Sequence, residues 1–591
     1  MGKDHEELKA MKEHSLKSTL ILGPIIILLF LAPFLYQWMQ NPTYQEIHLN
    51  ISNSPSNLDP AKNFDDQSLE IMAQMYEPLY QYHYLIRPYK IVPLLAEELP
   101  IFTDGLKKIQ IKIKKGIFYH PHPALTGVKR EVKAIDFINQ IKRMVFVPLK
   151  SPGSWLFADK IKGIGSYIKK VNGDFSLMFK ENISGLYALD DYTLVMELDS
   201  PCPQMIYLLA MNFVVPLPQE VLEKESNNLD RIDIGTGPFY LKEFNENNLI
   251  LEKFSEYRQD FYPNIGDRYA NDKNLLHSGL QPIPFLNRIN YSFYNDDKKA
   301  WQSFLERKLD IIDIPNIYRS LFSFRNEEEL PPEVKKQGAQ LKYFSGLTVR
   351  WLSFNMKDPI WGKNLYLRKA VAHAIDFEGY LNTITQNTYL QANSILAPGI
   401  PGYNPFHQPS YGYGPELARK YLIQAGYPEG RGLPPLTYTT RSRSSMSLQE
   451  AQFIKEQLGK IGIQVNIDEV EFEVFLRKGR NGELQFFTDN WIFDYPDPEN
   501  ILQLLVSKNH PGINKSGYTN AKVDNYYRQI LSSSSEEDKL DLTKKIEDIV
   551  YEELPWIMLT YERSYILLQK RVENFRRSSF TRNYLKYIKL D

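Results

Sequence analysis

From Thr19 to Gln40 the chain carries no charged residue. Its centre reads Leu20-Ile21-Leu22-Gly23-Pro24-Ile25-Ile26-Ile27-Leu28-Leu29-Phe30, followed by Leu31, Ala32, Pro33, Phe34 and Leu35. About 20 apolar residues in a helix span the hydrocarbon core of a bilayer. Tyr36 and Trp38 fall where an interfacial aromatic belt would lie. Such a segment divides the chain, because whatever follows it must fold as a separate body on one side of a membrane. A cleaved signal peptide is the alternative, but the apolar core is long for one and no small-x-small site follows it. Lys3, Lys9, Lys12 and Lys17 precede the span, and the next Lys or Arg is Lys62. The positive-inside rule therefore predicts a cytoplasmic tail at 1–17 and a transmembrane signal anchor at 18–40. The rest would form a body in the periplasm or extracellular space, held at the inner (cytoplasmic) membrane.

That body is too long for one ordinary domain in a chain of 591 residues. Ile47-His48-Leu49-Asn50-Ile51 alternates as a half-buried strand does, and Lys107 to Lys114, Thr193 to Leu198 and Phe239 to Phe244 read the same way. Asp66 to Tyr76 reads as a helix with Asp66 as its N-cap. Pro415 to Pro428 carries proline at a helix start and glycine then proline at its end. Leu448 to Leu458 is amphipathic and precedes the strand Ile463 to Ile467, and the serines before Asp538 cap a further helix. Helices alternating with strands predict an α/β architecture.

Several function classes recede. The formal net charge is −1, which gives nucleic acid no electrostatic footprint. Cys202, the one cysteine, has no internal partner and reads as a small buried residue. No G-x-S-x-G elbow, Walker A loop or H-E-x-x-H helix occurs, so neither an enzyme, a metal nor a cofactor is expected. His120-Pro121-His122 is the closest histidine pair of the body and reads as a polar surface loop. Gly235-Thr236-Gly237-Pro238 precedes a strand rather than a helix, so it reads as a turn, not a phosphate loop.

The stretch Trp491-Ile492-Phe493-Asp494-Tyr495-Pro496-Asp497-Pro498 sets the carboxylate of Asp494 among aromatics, just ahead of a Pro-x-Pro turn. A partly buried anion needs a cationic or hydrogen-bonding partner. A peptide α-ammonium could supply it. So could an internal guanidinium such as Arg350 or Arg368, and Asp494 could also simply cap a turn.

Motifs spread over the body share one resemblance. Asn57-Leu58-Asp59-Pro60-Ala61 is followed by Met75-Tyr76-Glu77-Pro78-Leu79. Ala188-Leu189-Asp190-Asp191-Tyr192 and Gly235-Thr236-Gly237-Pro238-Phe239 come next, then Phe354-Asn355-Met356 and Leu367 to Asp376. Ala425-Gly426-Tyr427-Pro428, the Asp494 stretch, Ser516 to Asn520 and Glu552 to Ile557 complete the series. In order and spacing the chain resembles the family 5 solute-binding proteins of ABC importers.

The resemblance implies a periplasmic-binding-protein type II-like bilobal clamshell with an extra domain on the N-terminal lobe. The implied divisions are lobe I at 41–88, 218–344 and 562–591, an accessory domain at 89–217 and lobe II at 345–561. It implies a monomeric receptor whose partners are a short peptide and the importer's permease subunits, with the membrane reached through the N-terminal helix. By resemblance Asp494 pairs with the peptide amine, Glu77 lies near the bound peptide, and Trp491 and Tyr495 line the cleft. Members of this family also bind nickel chelates, haem, sugars or opines, so fold does not set cargo.

Overall fold

In the computed structural model, residues 44–591 are described, apart from 126, 226–233, 325–328 and 443. The predicted tail and transmembrane anchor lie outside these residues. Among the described residues no helix is long and apolar enough to cross a membrane.

Among the described residues one mixed sheet of 11 strands organises the body, ten in a row and the short strand Leu390–Gln391 paired to Trp556–Leu568 off that row. Its middle is made by two long antiparallel strands, Gln340–Phe354 and Trp556–Leu568. On one side follow Ile311–Asp313, Glu46–Ile51, Arg288–Phe293, Asn248–Lys253 and Phe239–Phe244. On the other side lie Phe486–Ile492, Leu436–Arg441 and Val465–Val470. The residues from Ile47 to Asp591 form one compact unit through which this sheet runs, so lobe I, lobe II and the smaller domain remain divisions proposed from the sequence, names for its segments. The strand Glu46–Ile51 keeps the alternation read from sequence, with Ile47, Leu49 and Ile51 buried.

The long strands lose register twice, between Ser345 and Val349 and again between Arg350 and Trp351, and the first break is the wider. Ser345 pairs with Arg563, but the next partners are Val349 and Tyr561. Gly346, Leu347 and Thr348 thus stand opposite Glu562 alone, a bulge that bends the ladder. At Gly346 an added Cβ would come within 3.2 Å of the Glu562 Cβ, so the two chains approach closely at this point.

A separate four-stranded sheet follows in the order Ile101–Thr103, Lys108–Lys112, Thr193–Glu197 and Leu186–Asp190. The helix Ala134–Met144 packs on it. Arg143 of that helix donates Nη2 to Asp59 at 2.7 Å, with both side chains buried. The acid of the Leu-Asp-Pro-Ala string is therefore the anchor of this smaller domain.

Three local readings are corrected. The first helix spans Asp66–Met75, and its N-cap is Asp65, whose Oδ1 accepts from the Ser68 N–H at 2.9 Å. Asp66 lies one residue inside. His120 is buried, not part of a surface loop: its Nε2 bonds the Gly237 carbonyl at 2.8 Å, and Gly235 N–H donates to its Nδ1 at 3.2 Å. Burial holds its pKa down at about 4, so the ring is neutral and clamps the Gly235–Gly237 turn. Cys202 is only partly buried, and burial pushes its thiol up to about 11.

Candidate functional site

Asp494 stands just past the end of the strand Phe486–Ile492, where the lobe II sheet meets the cleft. Two residues around it, Asn500 and Trp491, fix its geometry. The buried Asn500, 1 % exposed, accepts from the Trp491 indole N–H at 2.8 Å and from the Asp494 backbone N–H at 3.1 Å. Both bonds end on Oδ1, so the amide orientation is set and its Nδ2 must point the other way. There it donates to Asp494 Oδ2 at 3.3 Å. Trp491 thus acts on the carboxylate through Asn500.

This is the one hydrogen bond to the Asp494 carboxylate among the described residues, and no cation pairs with it. The arginines that sequence offered as partners are committed elsewhere. Arg350 Nη2 holds Glu450 at 2.9 and 2.7 Å, and Arg368 donates to backbone carbonyls, including Glu553 O at 2.7 Å. Asp494 itself is solvent-exposed, where the sequence led us to expect a partly buried carboxylate. Desolvation by the protein packed around it still raises its pKa above the ordinary carboxylate value, and the Asn500 bond opposes the shift.

The carboxylate faces a cavity of about 370 Å³. Lobe II supplies Ile492, Phe493 and Asp494. Lobe I supplies Phe64, Leu69, Tyr82, Phe580 and Arg582, and the smaller domain adds Trp155, Met211 and Phe213. Phe64 is 69 % exposed and Ile492 61 %, which for side chains of this size means apolar surface offered to the cavity. A second cavity of about 410 Å³ shares Ile492, Ser579 and Arg582 with the first. It runs along the register break, lined by Gly346, Leu347, Thr348 and Glu562. Together they form one trough, of a size that suits a small ligand.

Tyr495 does not face this trough. It is 7 % exposed, donates its hydroxyl to Glu499 at 2.6 Å, and stacks on Tyr207 of the smaller domain at 5.8 Å between ring centroids, 5° from parallel. Glu77 is also enclosed, at 1 % exposure. Arg258 Nη2 donates to it at 2.9 Å and the Tyr257 hydroxyl at 2.8 Å, so its oxygens are engaged within lobe I, away from the cavities beside Asp494. Its place is that of a strut rather than a ligand group.

Sequence reasoning missed Asn500 as the residue that aims the acid, and it missed the acids beside it. Asp497 and Glu499 are buried, and burial raises both pKa values. The Tyr495 and Tyr527 hydroxyls hydrogen-bond Glu499. An Asp-Pro-Glu-Asn run after a strand was the available signal, but nothing local tells which of its acids turns inward.

The family model for bacterial extracellular solute-binding proteins, family 5 (middle part), matches residues 90–512. Heme-binding protein A of Haemophilus influenzae is 25% identical over 500 residues, covering 83% of this chain and 82% of its own. The dipeptide-binding protein of Escherichia coli is 22% identical over 500 residues, covering 82% and 84%. Among solved structures, HbpA2 from Haemophilus parasuis superposes with a TM-score of 0.75 at 21% identity, over 92% of this chain and 100% of that one. The unliganded open form of the periplasmic murein tripeptide-binding protein MppA gives 0.71 at 20%, over 93% and 98%. These likenesses assign the fold as the mixed α/β, type II-like arrangement of periplasmic binding proteins.

Proposed function

The chain belongs to the bacterial extracellular solute-binding proteins of family 5, and from that premise we propose that it captures short peptides by their amino terminus in the interlobe trough. The family delivers peptides or related solutes to ABC importers. One observation carries the choice of cargo: the Asp494 carboxylate faces the trough, is aimed by Asn500, and has no cation of its own. A partly desolvated anion is better stabilised by a cation than by water it has partly lost. An α-ammonium is a compact cation that three hydrogen bonds can satisfy, so a peptide can bring what the protein omits. Backbone pairing along the trough would add affinity without reading side chains.

Calorimetry with a free peptide and its N-acetylated twin tests this reading. The acetylated peptide should bind at least about tenfold more weakly, a difference of roughly 1.4 kcal/mol or more. Equal affinities would remove the α-amine from the proposal.

The aromatic wall of Tyr82, Trp155, Phe493 and Phe580 supports a second reading, a flat apolar solute such as haem. Haemin titration separates the two: a saturable shift of its visible absorption, abolished by excess peptide, would favour haem. The uncharged run 19–40 supports a membrane tether as part of the proposal, with the body outside. Fractionation tests it, since the full chain should sediment with membranes and resist high-salt extraction.

A further inference from the structure

Beside the trough, and sharing Phe344, Arg577 and Ser578 with it, lies a third pocket of about 270 Å³. Lobe I and the crossing strand form most of its wall, and Pro398 and Gly399 of lobe II close it. Four cations line it, Arg87, Lys342, Arg576 and Arg577, and no Asp or Glu does.

Two of the four are neutralised from behind. Arg576 pairs with Asp267 at 2.5 Å, and Arg577 pairs with Glu70 at 2.9 Å and Asp313 at 3.2 Å. The side chains of the other two form no ion pair among the described residues, although the Arg87 backbone N–H donates to Asp267 at 2.9 Å. Arg87 directs Nη1 at the carbonyls of His83 and Ile86, at 3.2 and 2.7 Å, and lies 4.2 Å over the Tyr89 ring. Lys342 reaches the pocket from the strand Gln340–Phe354. Burial, with Lys273 nearby, lowers its pKa. Two half-buried positive groups lining one cavity, neither of them in an ion pair among the described residues, call for an anion. The remaining wall is aromatic: Tyr89, Tyr269, Tyr343, Phe344 and Phe575.

We propose that this pocket is a second binding site, separate from the Asp494 trough, that takes a small carboxylate carrying an apolar or single-ring body. The carboxylate lies between Lys342 and Arg87, and the body packs on the tyrosine and phenylalanine rings. A bare inorganic ion would satisfy the cations and leave the aromatic wall wet, which is why an organic acid fits better. The site asks nothing of Asp494, so it stands or falls independently of the peptide reading.

Sodium benzoate is the probe, titrated into the full-length protein by calorimetry at constant ionic strength, with benzyl alcohol as the uncharged twin. Benzoate should bind saturably with a Kd of about 1 mM or tighter, and benzyl alcohol should not. Lys342→Met keeps the aliphatic stem and removes an unpaired charge. It should fold with an unchanged or higher thermal midpoint, yet bind benzoate at least about tenfold more weakly, while Lys342→Arg retains binding. Asp494→Asn should leave benzoate affinity within about twofold of wild type. The proposal is overturned if benzoate does not saturate, if benzyl alcohol binds as well, if Lys342→Met binds benzoate unchanged, or if Asp494→Asn abolishes the binding.

Discussion

Asp494 and Glu77 are two acids with opposite fates, and substitution should separate them. Asp494 has a raised pKa in the folded state, so its proton is held more tightly there than in the unfolded chain. The stability linked to that shift is present below the unfolded pKa and is lost as pH rises through the folded one. At neutral pH the ionised group therefore works against folding, and Asp494→Asn should raise the thermal midpoint of the ligand-free protein. The same substitution should weaken peptide binding at least about tenfold. Wild-type affinity should also fall as pH drops through the raised pKa, because the carboxylate is lost while the peptide amine stays charged. Thermal melts and calorimetry across that pH window check all three signs. Glu77→Gln should do the reverse. It strands the Arg258 guanidinium in lobe I and should cost about 3–5 kcal/mol of stability in denaturant titrations. Peptide affinity of the folded fraction should not change.

At the scale of elements, the aromatic contact between Tyr207 and Tyr495 joins the helix Met205–Leu208 to the loop after the strand Phe486–Ile492. A stacked pair of this kind contributes about 0.5–1.5 kcal/mol beyond its buried area. If it forms fully only when the lobes meet, Tyr207→Ala should quicken peptide release about two- to tenfold and leave association nearly unchanged; stopped-flow displacement measures both. Elements were the most legible feature of the sequence. Phe239–Phe244 falls where alternation put it, Pro415 opens its helix, and Ser535 caps the helix Glu536–Glu553 through the Asp538 N–H. Periodicity and caps are local signals, and these elements obey local rules. The site was legible only in part, because its decisive facts are long-range. Arg350 meets Glu450 100 residues away, and Arg258 meets Glu77 across 181. Which acid is left without a cation depends on pairings that no window of sequence contains. His120 misled for the same reason, since its partners lie at Gly235 and Gly237.

At the scale of the whole molecule, one continuous sheet carries the proposed ligand trough along a place where its central ladder loses register. A peptide that touches both walls should favour approach of the lobes, as in hinge closure around a ligand. Small-angle scattering should then show a smaller radius of gyration with saturating peptide than without, and no change with the N-acetylated form at the same concentration. The register break has a mechanical consequence. Because hydrogen-bonded ladder flanks the two register shifts on both sides, the joint should yield like a leaf spring over the short stretch from Ser345 to Trp351 and stay stiff beyond it. Cargo of different bulk would then be accommodated by different angles of closure, so the outer faces would offer an importer a graded readout of how well the jaws have shut.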